Sequence, residues 1–152
     1  MAKSKKAVYV TKSPAETKKL GFLLAKTVLK GGRRHRALVL ALAGGLGVGK
    51  TNFIQGFARG LGIKGTVNSP TFVILKKYSV EHPSVIKTFY HIDCYRLDSE
   101  LDLVRLGLEE ILANPTNVVA IEWPDIAQDI LQKNVLGVNF EVIGEKGRRI
   151  IF

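Results

Sequence analysis

The stretch Ala37-Leu38-Val39-Leu40-Ala41-Leu42-Ala43 carries no polar side chain and runs straight into Gly44-Gly45-Leu46-Gly47-Val48-Gly49-Lys50-Thr51. A short, unbroken apolar run suits a strand buried on both faces. Beyond the glycines, Phe53, Phe57 and Leu61 recur at helical spacing before Gly62. The order predicts a strand, a loop, and a helix from Lys50 to about Leu61. A strand buried on both faces needs a layer on each side of its sheet, which points to an α/β architecture.

The remaining segments fit that architecture. Ala7 to Val10 reads as a short edge strand. Ser13-Pro14-Ala15-Glu16 has the form of a helix start: a capping serine, a proline at the first helical position, and a glutamate placed to close a capping box. Leu20, Leu23, Leu24, Thr27 and Val28 follow at helical spacing, and Gly31-Gly32 ends the helix. Thr66 to Pro70 is irregular. Phe72 to Tyr78 and Val85 to Asp93 are expected as strands joined by a loop with His82 and Pro83. Leu101 to Leu112 is expected as one helix, capped by Asp98 or Ser99. Val118 to Glu122 is a second buried strand. Leu136, Val138, Phe140 and Val142 alternate, and Gly144 to Gly147 turns the chain toward Arg148 to Phe152 as a terminal hairpin. The fold expectation is α/β: one P-loop NTPase-like domain over 1–152, with a mixed β-sheet flanked by helices and a disordered basic tail at 1–6.

With 46% hydrophobic and 24% charged residues, the composition is that of an ordinary water-soluble globular chain. No apolar stretch is long enough to span a bilayer, and the basic N-terminus leads into no apolar signal segment. Cys94 is the only cysteine, so no internal disulfide can form. Together these features lead us to expect a cytoplasmic protein away from membranes. The net charge of +10 suits either attraction to polyanions such as nucleic acid, or a well-solvated surface.

Gly44, Gly49, Lys50 and Thr51 satisfy the pattern Gly-x-x-x-x-Gly-Lys-Thr, with the strand before it and the helix after it in the required places. Glycines let backbone N–H groups turn inward around phosphates, and the helix N-terminus adds partial positive charge. Lys50 can reach terminal phosphates, and the Thr51 hydroxyl can ligate magnesium. The candidate nucleotide-binding residues are therefore Gly44, Gly45, Leu46, Gly47, Val48, Gly49, Lys50 and Thr51, with ATP or ADP and Mg2+ as cofactors. Such a site also needs a strand-end carboxylate. Glu122 ends Val118-Val119-Ala120-Ile121, and Asp93 ends Phe89-Tyr90-His91-Ile92. Either can serve. His91 shares a strand face with Asp93, Cys94 points the other way as a small core residue, and Trp123 packs. Pro124 biases Trp123 toward an extended backbone.

The chain has no Asn-Lys-x-Asp guanine reader, which favours adenine, and little room for a kinase's second pocket and lid. It resembles the TsaE family (also called YjeE), small P-loop ATPases of bacterial threonylcarbamoyladenosine synthesis on tRNA. The resemblance is carried by Ser13-Pro14-Ala15-Glu16-Thr17 with Leu20-Gly21, the glycine loop, Ser69-Pro70-Thr71-Phe72, and His91-Ile92-Asp93-Cys94-Tyr95-Arg96-Leu97. It continues through Leu106-Gly107-Leu108-Glu109-Glu110 and Glu122-Trp123-Pro124-Asp125. It implies that Glu122 is the second magnesium ligand after Thr51 and that Asp93 is a functional acid near the nucleotide. It places Thr71 in a switch-like segment, the stretch from Ser13 to Thr17 beside the adenine, and Arg148 at the nucleotide's border. The implied partners are the threonylcarbamoyl-transferase subunit and its inactive paralogue, with ATP binding favouring assembly and hydrolysis resetting the complex. Gly45 departs from the family's usual acidic residue, Val48 from alanine and Asn52 from threonine. Readings from other classes are a nucleotide-dependent binding module with negligible hydrolysis, and a small-molecule kinase.

Overall fold

The computed structural model describes residues 5–131 and 135–152. Residues 1–4 of the expected basic tail lie outside the described residues; Lys5 and Lys6 are exposed and in no regular element. Seven strands form one sheet in the order β1-β7-β6-β2-β5-β4-β3. They are β1 (Val8–Thr11), β2 (Leu38–Ala43), β3 (Leu75–Ser79), β4 (Thr88–Asp93), β5 (Asn117–Glu122), β6 (Val135–Ile143) and β7 (Gly147–Ile151). The inner strands β6, β2, β5 and β4 run parallel, while β3, β7 and β1 add antiparallel edges. The sheet is mixed and flanked by helices, as the sequence predicts.

The alternation along β2 and β5 explains the two layers. Leu40, Leu42, Val118 and Ala120 face a core closed by α1 (Pro14–Leu29) and α2 (Lys50–Gly60), through Ala25, Val28, Phe53 and Phe57. Val39, Val119 and Ile121 face the other way, onto α3 (Glu100–Arg105), α4 (Leu108–Ala113) and a 3-10 turn at Pro124–Ala127. Among the described residues no helix is long and apolar enough to cross a membrane.

Helix α1 starts where its cap predicts. Ser13 is extended, and its hydroxyl accepts from the Glu16 amide at 3.2 Å. The Glu16 carboxylate reaches back one residue further than a capping box requires, accepting from the Lys12 amide at 2.6 Å. Helices α1 and α2 pack backbone to backbone. A Cβ on Gly56 would strike the Lys18 carbonyl, and one on Gly21 the Phe53 carbonyl.

Three local expectations are corrected. Phe72 to Ile74 is a turn, not the start of a strand: Val73 and Ile74 both donate to the Pro70 carbonyl, and Ile74 sits at φ 68°. Strand β3 begins only at Leu75. The expected helix over Leu101 to Leu112 is two helices. Gly107 breaks it at φ 79°, a left-handed conformation that a continuing helix cannot contain, and Ser99 caps the first piece. Trp123 is left-handed, at φ 55° and ψ 60°, not extended. Proline disfavours the right-handed helical region for the residue before it. Trp123 must still donate to the Leu42 carbonyl at 3.3 Å while the chain turns into the 3-10 segment, and the left-handed region meets both demands.

Candidate functional site

Strand β2 delivers the chain to the phosphate loop at the edge where β5 and β4 also end. In the parallel register Leu42 pairs with Glu122, and Asp93 pairs with Glu122. Both carboxylates share the strand face of Ala120 and His91, toward which α2 begins. Three loop glycines adopt conformations closed to most side chains: Gly44 at φ 146°, Gly47 at 71° and Gly49 at 100°. A Cβ on Gly44 would also press on the Phe140 carbonyl at 2.9 Å. Gly45 is different. A Cβ there meets only Val48, at 3.8 Å, so nothing in the loop's packing demands glycine.

Lys50 opens α2 and is buried. Its ammonium donates to the Gly44 carbonyl at 2.7 Å and lies 3.7 Å from the centre of the Trp123 ring. Burial lowers its pKa from the usual lysine value, while Glu122 and Asp93 pull in the opposite direction. The ammonium therefore lies within the field of both carboxylates. Behind them the Cys94 thiol is pushed up to about 12, by burial first and then by Asp93 and Glu122. Cys94 is buried in the opposite core, as expected of a small apolar residue.

The two carboxylates are held differently. Glu122 Oε2 accepts from His91 Nε2 at 2.9 Å, and both side chains are buried. Asp93 Oδ2 accepts from the hydroxyls of Thr71 at 3.0 Å and Ser69 at 3.2 Å, and its Oδ1 accepts from the Tyr95 amide at 2.9 Å. The turn at Pro70–Ile74 brings those hydroxyls in, and the Asp93 amide donates to the Ile74 carbonyl at 2.8 Å.

These groups line a pocket of about 360 Å³ formed by the loop from Leu46 to Asn52 with Ser69, Thr71, Asp93, Tyr95, Glu122 and Trp123. Lys50, Thr51, Thr71, Asp93 and Glu122, all singled out from the sequence, meet there. Gly44, Gly45, Ser13, Thr17 and Arg148 do not line it. The Ser13 hydroxyl is used as a helix cap, and Thr17 bonds Thr11 at 2.8 Å and lies behind Gly49. Arg148 reaches the loop from the terminal hairpin, donating to the carbonyls of Val48 at 3.1 Å and Gly47 at 3.4 Å. A larger groove, about 1140 Å³, lies elsewhere, over α1 and α2. The loop's chemistry identifies the smaller pocket as the candidate site.

Sequence reasoning missed three participants. His91, placed by the sequence only on the Asp93 face of its strand, grips Glu122. Ser69 joins Thr71 on Asp93. Trp123 packs, but against the Lys50 ammonium and the Tyr95 ring, whose centre is 5.1 Å away. The available signal was the recurrence of hydroxyl and imidazole side chains near strand-end acids.

Comparison with known proteins supplies the lineage. The family model described as threonylcarbamoyl adenosine biosynthesis protein TsaE matches residues 11–150. The tRNA threonylcarbamoyladenosine biosynthesis protein TsaE of Bacillus subtilis (strain 168) is 37% identical over 142 residues, spanning 93% of this chain and 82% of its own. The protein of the same name from Treponema pallidum (strain Nichols) is 33% identical over 141 residues, spanning 93% of this chain and 96% of its own. The crystal structure of Bacillus subtilis YdiB matches the fold with a TM-score of 0.76 at 32% identity, over 100% of this chain and 87% of that one. Matched along nearly its whole length in sequence and in fold, the chain belongs to the TsaE family.

Proposed function

We propose that this protein is a magnesium-dependent ATPase that serves as an accessory subunit in threonylcarbamoyladenosine modification of tRNA, with its ATP cycle resetting the transferase complex. The observation that carries the reading is the convergence of a left-handed glycine loop, the buried Lys50 ammonium and two register-paired carboxylates in one pocket. A loop of inward N–H groups with a lysine at its base suits a polyphosphate.

The donor set suits magnesium carried by that polyphosphate. Among the described residues no group of three His, Cys, Asp or Glu can hold a metal alone. Magnesium bound with a nucleotide takes few protein ligands and fills the rest with phosphate oxygens and water. Thr51 and Glu122 would hold it, and it would neutralise charge on the phosphates.

The other residues divide the remaining work. Lys50 leaves the Gly44 carbonyl for the phosphates. His91 orients Glu122. Asp93 orients water opposite the terminal phosphate, and the Thr71 hydroxyl senses that phosphate. Because two hydroxyls already occupy Asp93 Oδ2, release of that cluster is required before Asp93 can act on water. Hydrolysis by the isolated protein is therefore slow, and the partners that accelerate it are the transferase subunit and its inactive paralogue. Cytoplasmic location and a preference for adenine over guanine belong to the same reading.

The test is phosphate release from magnesium–ATP with and without those two partner proteins. Slow release alone and faster release in the mixture support the reading. Release that stays at background in both would leave a binding module, and phosphate appearing on a small hydroxyl acceptor would indicate a kinase.

A further inference from the structure

The positive charge of the chain is segregated. From Lys12 to Arg36, helix α1 and the loop behind it carry eight Lys and Arg against Glu16 alone. From Asp93 to Asp129 there are nine Asp and Glu against Arg96 and Arg105. Most of the two sets lie on opposite faces of the sheet, with α1 and α2 on one and α3, α4 and the 3-10 turn on the other; Asp93 and Glu122 are the acids on the α1–α2 face, at the phosphate loop. Solubility alone is served by charges of both signs interspersed over the surface. Sorting them onto opposite faces makes a strong local field.

The basic side is also concave. The groove of about 1140 Å³ is lined by Lys18, Lys19 and Phe22 of α1, Arg59 of α2, and the loop from Gly62 to Val67 with Lys64. Among the described residues no carboxylate lines it. All four cations are exposed. Among the described residues only Lys64 has an ionic partner, Glu81 at 3.4 Å, and both ends of that pair are in solvent. Such a pair is weak. Lys26 adds a further cation 5.2 Å above the Phe22 ring. The spacing across the groove is fixed, because Gly56 and Gly60 let α2 lie directly on the α1 backbone at Lys18 and Phe22.

We infer that the α1–α2 groove is a docking site for the sugar–phosphate backbone of RNA, with Lys18, Lys19, Arg59 and Lys64 neutralising consecutive phosphates. Protein partners favour surfaces depleted in lysine and anchored by large apolar groups. Here every charged lining residue is a cation, three of the four being lysines, and half-buried Phe22 is the one aromatic lining residue among the described residues. Nucleic-acid interfaces are strongly positive, which this groove matches. The polyanion site stands on charge and shape alone, whereas the choice of RNA rests on the family's link to tRNA. The groove is separate from the nucleotide pocket.

The experiment is fluorescence anisotropy with a labelled, unmodified tRNA transcript and the full chain, titrated between about 50 and 300 mM salt. Wild-type protein should bind with an affinity that falls steeply with salt. K18A/K19A/R59A/K64A should bind at least about tenfold more weakly near 100 mM salt, and its log–log salt slope should be shallower by about 3, for four lost phosphate contacts. K76A/K77A/K87A/R105A removes the same charge elsewhere and should keep wild-type binding and slope. Absence of wild-type binding, or equal effects of the two variants, would overturn the site. So would polyglutamate competing as well as tRNA at equal charge, which would point to an acidic protein instead. Calorimetry of magnesium–ATP on the groove variant should stay within about twofold of wild type, which separates failure of the groove from failure of the nucleotide pocket.

Discussion

His91 donates from Nε2 to Glu122 Oε2 at 2.9 Å across the parallel pair β4 and β5, and neither side chain is open to solvent. The other imidazole nitrogen, Nδ1, is buried without a partner among the described residues, so the ring's polar purpose lies in this one bond. A carboxylate held by a buried donor keeps one rotamer, as a metal ligand requires. His91→Phe should leave Glu122 without that donor and cost about 1–3 kcal/mol of stability in urea unfolding. It should also raise the magnesium concentration needed for tight ATP binding, and His91→Gln, which keeps a donor, should recover part of both. Wild-type magnesium dependence in the Phe variant would show that His91 only fills space.

Asp93 is tied to the turn that carries Ser69 and Thr71. Thr71→Val and Asp93→Asn should each slow single-turnover hydrolysis, measured with partners, while changing ATP affinity little. Because the two residues touch, their effects should not add, and a double-mutant cycle should show coupling of roughly 0.5–3 kcal/mol. Fully additive effects would mean the two act separately.

Arg148 holds the carbonyls of Val48 and Gly47 with two different nitrogens. The loop is thereby pinned from the terminal hairpin, so Arg148→Ala should weaken ATP binding by about tenfold, near the worth of one or two charge-assisted hydrogen bonds. Arg148→Lys should recover little, since an ammonium lacks the fork that spans two carbonyls. Equal affinity of the Lys variant and wild type in calorimetry would show that charge alone suffices.

Gly56→Ala tests the helix pair. The added Cβ would strike the Lys18 carbonyl and stand 2.6 Å from the Lys18 carbonyl carbon, and backbone cannot swing aside as a side chain can. Overpacking of this kind costs about 1–3 kcal/mol, and the upper end is expected here. Gly65→Ser, with nothing near its Cβ but φ at 93°, should cost only the left-handed strain, about 1–2 kcal/mol. Urea denaturation of both variants decides the order.

Much of the site was legible because its chemistry is local in sequence. The glycine loop, Lys50 and Thr51 are contiguous, and the apolar runs before Glu122 and Asp93 mark strand ends without any knowledge of the fold. What was not legible depends on long-range register. Only the parallel pairing of Asp93 with Glu122 sets His91 diagonal to a glutamate 31 positions away. Gly107 sits between two segments that keep helical spacing, so only its left-handed backbone reveals the break. The turn at Pro70–Ile74 hid behind an apolar, β-branched run that reads as strand, and tertiary bonds to Asp93 override that propensity. Trp123 shows the same limit, because the demand of its amide for the Leu42 carbonyl lies outside its neighbours in sequence.

Binding of magnesium–ATP at the glycine loop is proposed to depend on Lys50. The most direct measurement is calorimetric titration of magnesium–ATP into wild-type protein and a folded Lys50→Ala variant. The variant should lose about 1.5–3 kcal/mol of binding free energy, roughly a ten- to hundredfold weaker affinity, because a charged donor is removed from a partly desolvated site. Unchanged ATP affinity in the folded variant, or no binding by the wild-type protein, would contradict the account.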